Sequence, residues 1–259
     1  MLKPRLRTVE KREPPYRLNQ FPPGFDLKLG RELICHLATS GSSLEGSQWE
    51  AIFARVIGAQ WKPSNVGLDD VVLGNCAWGA KTVKAACPAT VSKVRLISGR
   101  NSPIFSFGST DVRSMDENEL GRQILSIYNE RVWSVRARFE HLRTVVLVKS
   151  NDLLEAAAFE FETVAYDGKE HVWRWNKNGN LEGCDRSGAH CFTWQPHGSQ
   201  FTIVETVPSE RLAIRIRQPG PLPPERILEQ IGYDDTWVQR APQQASLFPA
   251  ASLPGDGQN

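Results

Sequence analysis

The chain has 259 residues, 40% of them hydrophobic and 23% charged, with a formal net charge of +2. A chain of this length builds a core without staples, and the five scattered cysteines, Cys35, Cys76, Cys87, Cys184 and Cys191, exclude a disulfide framework and fit a reducing compartment. No apolar run approaches a membrane span, and so small a charge excludes nucleic-acid binding by bulk electrostatics, leaving only a role set by where the charges lie.

The first residues carry basic side chains with no apolar run behind them, so no secretory signal is expected and the protein reads as cytoplasmic. Residues 1–25, with Pro14, Pro15, Pro22 and Pro23 among arginines, read as a flexible arm. Residues 26–240 read as one α/β domain, and the polar stretch 241–259 as a disordered tail.

Within the domain, Gly30 to Thr39 is expected as a short helix and Ser47 to Ala59 as a second, with Trp49, Ile52, Phe53, Val56 and Ile57 on one stripe. Strands are expected at Asp70 to Leu73 and Cys76 to Lys84. A long helix from Asp116 to Leu142 follows, carried by Leu120, Ile124, Ile127, Tyr128, Val135, Phe139 and Leu142, with Asp116 as its cap. Thr144 to Val148 suits a buried strand. Alternation then predicts strands at Ala158–Val164, His171–Trp175, Cys191–Trp194, Phe201–Val207 and Leu212–Arg217, with turns at Asn178-Gly179, Gly188 and His197-Gly198. The catalytic core falls at about residues 45–150 and a β-rich recognition part at about 151–218.

The stretch from Val66 to Val83 carries the chemistry. Asp70 opens an apolar strand, Gly74-Asn75 turns, and the next strand brings Lys81 back alongside, on the same face as Gly79. A carboxylate that binds Mg²⁺ beside a lysine that orients a water is the equipment of phosphodiester hydrolysis. The segment resembles the PD-(D/E)xK nuclease superfamily, which includes most type II restriction endonucleases. Asp70 matches the first acid and Ala80-Lys81 the x-Lys end, while Gly79 stands where the second carboxylate is expected.

The resemblance implies a restriction-endonuclease-like mixed β-sheet core flanked by helices, with an antiparallel β extension in the C-terminal half. It also implies double-stranded DNA as substrate, Mg²⁺ as cofactor and a homodimer on palindromic sites. Glu50, on the preceding helix, is the choice for the missing ligand, giving Asp70 and Glu50 as metal ligands and Asp70, Lys81 and Glu50 as the catalytic set. Asp69 is expected to point the other way. Two plainer readings stand beside this one: Ser47-x-x-Glu50 fits a capping box, and Asp69-Asp70 fits a solvated pair at a strand entry.

For DNA contacts, Arg100, Asn101 and Ser102 end a strand in a basic polar loop. Arg136 and Arg138 belong to an arginine-rich helix that also carries Arg122 and Arg131. Lys177, Asn178 and Asn180 in one turn, and Gln195, His197 and Gln200 in another, are types that bond base edges. A DNA-binding protein without catalysis is the alternative that Gly79 favours. A zinc protein using Cys184, His190, Cys191 and His197 is a further one, although the spacing matches no common zinc pattern.

Overall fold

The computed structural model describes residues 12–62 and 68–239. The chain divides into two compact units, Met1–Pro221 and Leu222–Asn259. In the first unit the elements run α1 (Phe25–Ser40), α2 (Gly46–Ile57), β1 (Gln60–Trp61), β2 (Val71–Leu73), β3 (Cys76–Lys84) and β4 (Lys93–Arg100). Then come α3 (Pro103–Phe107), α4 (Glu117–Arg136), β5 (His141–Lys149) and β6 (Glu155–Glu162). β7 (Val172–Trp175), β8 (Leu181–Cys184), β9 (His190–Gln195), β10 (Gln200–Thr206) and β11 (Leu212–Arg215) complete it. The second unit holds α5 (Pro224–Gln230) and an edge-to-face pair of rings, Tyr233 and Trp237.

The strands form two sheets. One is mixed, in the order β1-β2-β3-β5-β6-β11, and the other antiparallel, in the order β4-β10-β9-β8-β7. β3 and β5 are the parallel pair of the mixed sheet. Both are buried on both faces and read as nearly continuous apolar runs, as parallel strands covered on each side must.

α1 and α2 cover one face of the mixed sheet, where Trp49, Phe53 and Leu33 meet Trp78, Val145 and Leu147. α1 buries Phe25, Leu29, Leu33 and Leu37, one residue per turn, and stops at Gly41 in the left-handed region. On the other face lie α4 and the antiparallel sheet. Leu120, Ile124, Tyr128 and Val132 pack with Ala77, Leu142, Trp173, Trp194 and Phe201. Val94 and Leu96 of β4 cover the far half of that face, against Val146, Val148 and Phe159.

Several expectations need correcting. Residues 12–24, read as part of a free arm, are tied to the mixed sheet: the Tyr16 hydroxyl donates to Glu160 Oε1 at 2.8 Å, and Glu160 N donates to Asn19 Oδ1 at 2.6 Å. Residues 1–11 and 240–259, which hold the remainder of the arm and the expected tail, lie outside the described residues. The long helix ends at Arg136 rather than Leu142. Leu142 is the second residue of β5 and enters the same apolar cluster as α4, so the spacing carried on after the helix had stopped. β8 and α5 were not anticipated. No helix among the described residues is long and apolar enough to cross a membrane.

Candidate active site

Asp70 sits immediately before β2, buried, with its main-chain carbonyl accepting from Lys62 N at 2.7 Å. Its side-chain Oδ2 accepts from Ala80 N of β3 at 3.2 Å. The alternation of β3 places Cys76, Trp78 and Ala80 against α1 and α2, and Ala77 on the opposite face. Gly79 and Lys81 therefore share the Ala77 face.

Three charges act on the Asp70 carboxyl. Burial pushes its carboxyl up to about 6; Lys81 opposes that rise, while Glu50 and then Asp69 add to it, and the Ala80 amide also opposes it. Glu50 is thus near enough for its charge to be felt. The Glu50 reach is fixed from a strand: Trp61 Nε1 donates to Glu50 Oε2 at 3.2 Å, and Trp61 pairs with Val71. The capping reading of Glu50 is corrected, because the box closes two residues earlier, Glu45 N donating to Gln48 Oε1 at 2.7 Å. Asp69 diverges from the site into an ion pair with Arg138 at 3.1 Å.

The Leu68 main chain passes beside Gly79, and a Cβ there would stand 3.4 Å from the Leu68 carbonyl oxygen, an ordinary van der Waals contact. The other carboxylate whose charge acts on Asp70, Glu50, is carried by α2.

Lys81 borders a small internal space between the two sheets, lined also by Thr144, Tyr166, Glu162 and Glu205. Tyr166 donates its hydroxyl to Glu205 at 3.0 Å, and burial raises the Glu205 carboxyl. Sequence spacing had no means of bringing Glu205 to Lys81, since β10 reaches the site only through the second sheet.

Comparison of the chain with protein-family models, curated proteins and solved structures returns no match.

The residues expected to touch DNA fall into two groups. Arg100 pairs with Gln200 across β4 and β10, and Gln200 pairs with Gln195 across β10 and β9. The turns holding Lys177, Asn178 and Asn180, and His197, open at the same end of the antiparallel sheet. Ser102 stands there too, at the start of α3. Lys177, Asn178, His197 and Arg100 are exposed.

The second group is committed elsewhere. Asn101 is buried, its main-chain N donating to Ser199 O at 2.7 Å and its main-chain O accepting from Trp194 Nε1 at 3.0 Å, so its side chain presents nothing to a base at the surface. Arg136 donates to Thr163 O at 2.7 Å. Arg138 is held by Asp69.

The zinc grouping does not assemble. His190 begins β9 while His197 follows its other end, and the His190 ring is engaged by Phe192 O and Thr193 Oγ1. No cluster of three or more His, Cys, Asp or Glu side chains suited to a metal occurs among the described residues. Asp70 and Glu50 remain as a pair of carboxylates.

Proposed function

We propose that the chain is a Mg²⁺-dependent endonuclease of the PD-(D/E)xK kind, hydrolysing double-stranded DNA at specific sequences as a type II restriction enzyme does. The observation that carries this reading is a buried Asp70 whose Oδ2 accepts from Ala80 N, next to Lys81 on β3, and whose carboxyl feels the charges of Lys81 and Glu50. The donor set suits a hard cation, since both groups are carboxylates and their mutual repulsion, felt at Asp70, is relieved by positive charge. Two carboxylates also suit Mg²⁺, which keeps several waters and takes substrate phosphate oxygens.

Asp70 and Glu50 would hold the ion. Bound there, it supplies Lewis-acid polarisation of a phosphoryl oxygen and a lowered pKa for the attacking water. Lys81 would orient that water and offset the charge that builds on phosphorus. The end of the antiparallel sheet with Arg100, Lys177, Asn178, Gln195, His197 and Gln200 supplies side chains suited to base edges and phosphates. A two-fold dimer fits a palindromic site.

Incubation with unmethylated phage DNA tests the reading. Discrete fragments are expected with Mg²⁺, none with EDTA, and a loss of at least a hundredfold in rate for Lys81→Ala, on the order of the loss of one transition-state donor. Cleavage that persists in Lys81→Ala would move the active site elsewhere. The second reading, a DNA-binding protein of the same build without catalysis, is favoured by Gly79 alone. It predicts a gel shift without any metal-dependent fragment.

A further inference from the structure

α3 turns one ring inward and leaves two apolar side chains out. Phe107 packs edge-to-face on Trp194 of β9, with ring centroids 5.2 Å apart. Trp194 Nε1 also donates to Asn101 O at 3.0 Å, and Asn101 N donates to Ser199 O at 2.7 Å, so the residues leading into the helix are fastened to the antiparallel sheet. Pro103 opens the helix, and Gly108, with φ of 68°, closes it, its N donating to Ile104 O at 2.9 Å. On this anchored turn Ile104 is 64% exposed and Phe105 is 93% exposed, the most exposed of the large apolar side chains among the described residues. A single exposed apolar residue is ordinary, but adjacent ones held out on a fixed turn leave open an area that a partner can bury.

The surroundings indicate the partner. α3 begins where β4 ends, at the end of the antiparallel sheet that also carries the β7–β8 and β9–β10 turns. Arg100, Lys177 and His197 are exposed there. Arg113, also exposed, lies over the Trp175 ring at 5.6 Å and against Gly179 of the β7–β8 turn. Of the acids nearby, Glu182 accepts from Asn176 Nδ2 at 2.7 Å and Glu117 from Trp175 N at 3.2 Å, and Asp111 is the acid between Arg100 and Ser114. An apolar pair framed by cations, with the amides of Gln195 and Gln200 on the strands beside it, is complementary to a polymer with an anionic backbone and stacked apolar faces inside. Arg131 of α4 links this end to the candidate active site: its Nη2 donates to Arg100 O at 3.2 Å, and it lines one groove with Leu68 and Asp69, the residues before Asp70.

We propose that Ile104 and Phe105 form an apolar wedge that enters between adjacent base pairs of duplex DNA, with Arg100, Arg113 and Lys177 on the flanking phosphates. The wedge rests on the nuclease reading for the choice of duplex DNA, and no step of hydrolysis is assigned to it. Insertion of such side chains partly unstacks one base step and bends the duplex, so binding is accompanied by unwinding.

Relaxation of a plasmid by a metal-independent topoisomerase in EDTA, with the full chain bound, reads that unwinding as a change in linking number. The unaltered protein is expected to lower the linking number of the relaxed product, Phe105→Ala to abolish the change, and Phe105→Trp to retain it. In duplex binding over a range of salt, Phe105→Ala should cost about tenfold in affinity and leave the slope of log affinity against log salt as it is, whereas Arg100→Gln should reduce that slope by about 1. Because Phe105 is exposed, Phe105→Ala should keep the melting temperature of the unaltered protein, which separates loss of the wedge from loss of folding.

An unaltered protein that does not bind the duplex, or binds it with no change in linking number, overturns the proposal. So does unwinding that survives the double variant Ile104→Ser with Phe105→Ala; a loss of self-association in that variant, or of binding to phosphatidylserine vesicles, would then give the pair to a second copy of the chain or to a lipid surface. Unwinding that depends on Phe105, without Mg²⁺-dependent cleavage, keeps the wedge and removes the nuclease reading, and cleavage without unwinding does the reverse.

Discussion

Asp70 is held in a state that works against the fold. Burial lifts its carboxyl from the ordinary 3.8 to about 6, and that rise makes the ionised form costly to the folded state by about 3 kcal/mol. The sign follows from linkage: a raised carboxyl adds stability below its unfolded pKa, and that stability is lost as pH rises through 6. Asp70→Asn should therefore melt higher than the unaltered protein at pH 8, by an amount that shrinks toward zero between pH 6 and pH 4, while cleavage is abolished. Calorimetry over that range checks it, and Mg²⁺ should stabilise the unaltered protein but not the variant. Equal melting temperatures at pH 8 would mean that Asp70 is not strained. At this scale the sequence located Asp70 at the entry to β2, Lys81 on β3 and Glu50 on α2, because strand alternation and a preceding helix are local patterns. It misled at Asn101, where a loop residue of base-reading type is drawn inward by Ser199 and Trp194, contacts about a hundred residues away that no spacing reveals.

Among the elements, the stretch before α1 behaves as a strap. Glu160 of β6 accepts from Trp78 Nε1 at 2.6 Å and from the Tyr16 hydroxyl, and Arg143 of β5 bridges it at 3.3 Å while donating to Tyr16 O at 3.0 Å. Burial raises the Glu160 carboxyl, and Arg143 with these donors holds against that rise. Arg143→Met leaves the carboxylate buried without its counter-charge and should lower stability by about 3–5 kcal/mol. Adding Glu160→Gln to that variant should recover a substantial part, read from urea midpoints; a double variant no more stable than Arg143→Met would deny the coupling. Proline-rich composition suggested a free arm, since composition reports what a segment does alone and not what a buried glutamate elsewhere requires. Helices and strands were legible where periodicity was clean, as in α2, β3 and β5. β8 was hidden because its Leu-Glu-Gly-Cys is short and contains Gly183, whose missing side chain admits the Trp173 ring.

In the first unit as a whole, α4 joins the two sheets, and one glycine sets how closely. A Cβ on Gly121 would fall within the Trp173 indole. Alanine is the better helix former by about 1 kcal/mol, yet Gly121→Ala should destabilise by about 1–3 kcal/mol because the helix must back away from the antiparallel sheet. A urea midpoint that rises instead would show that the contact is slack. The mixed sheet, the antiparallel sheet and the helices were foreseeable in kind from the alternation of patterns, but not how strands divide between sheets. β4 follows β3 in the chain and leaves for the other sheet, and only its pairing with β10, not its own residues, reveals that. That departure has a consequence for how the protein is made. Arg100 pairs with Gln200, so β4 leaves the ribosome about a hundred residues ahead of its strand partner. Until β10 arrives its edge is open, with Ile97 half-exposed even at the end. Folding must be slow on that account, and the nascent chain is most prone to aggregate during the interval in which α4, β5 and β6 are already emerging.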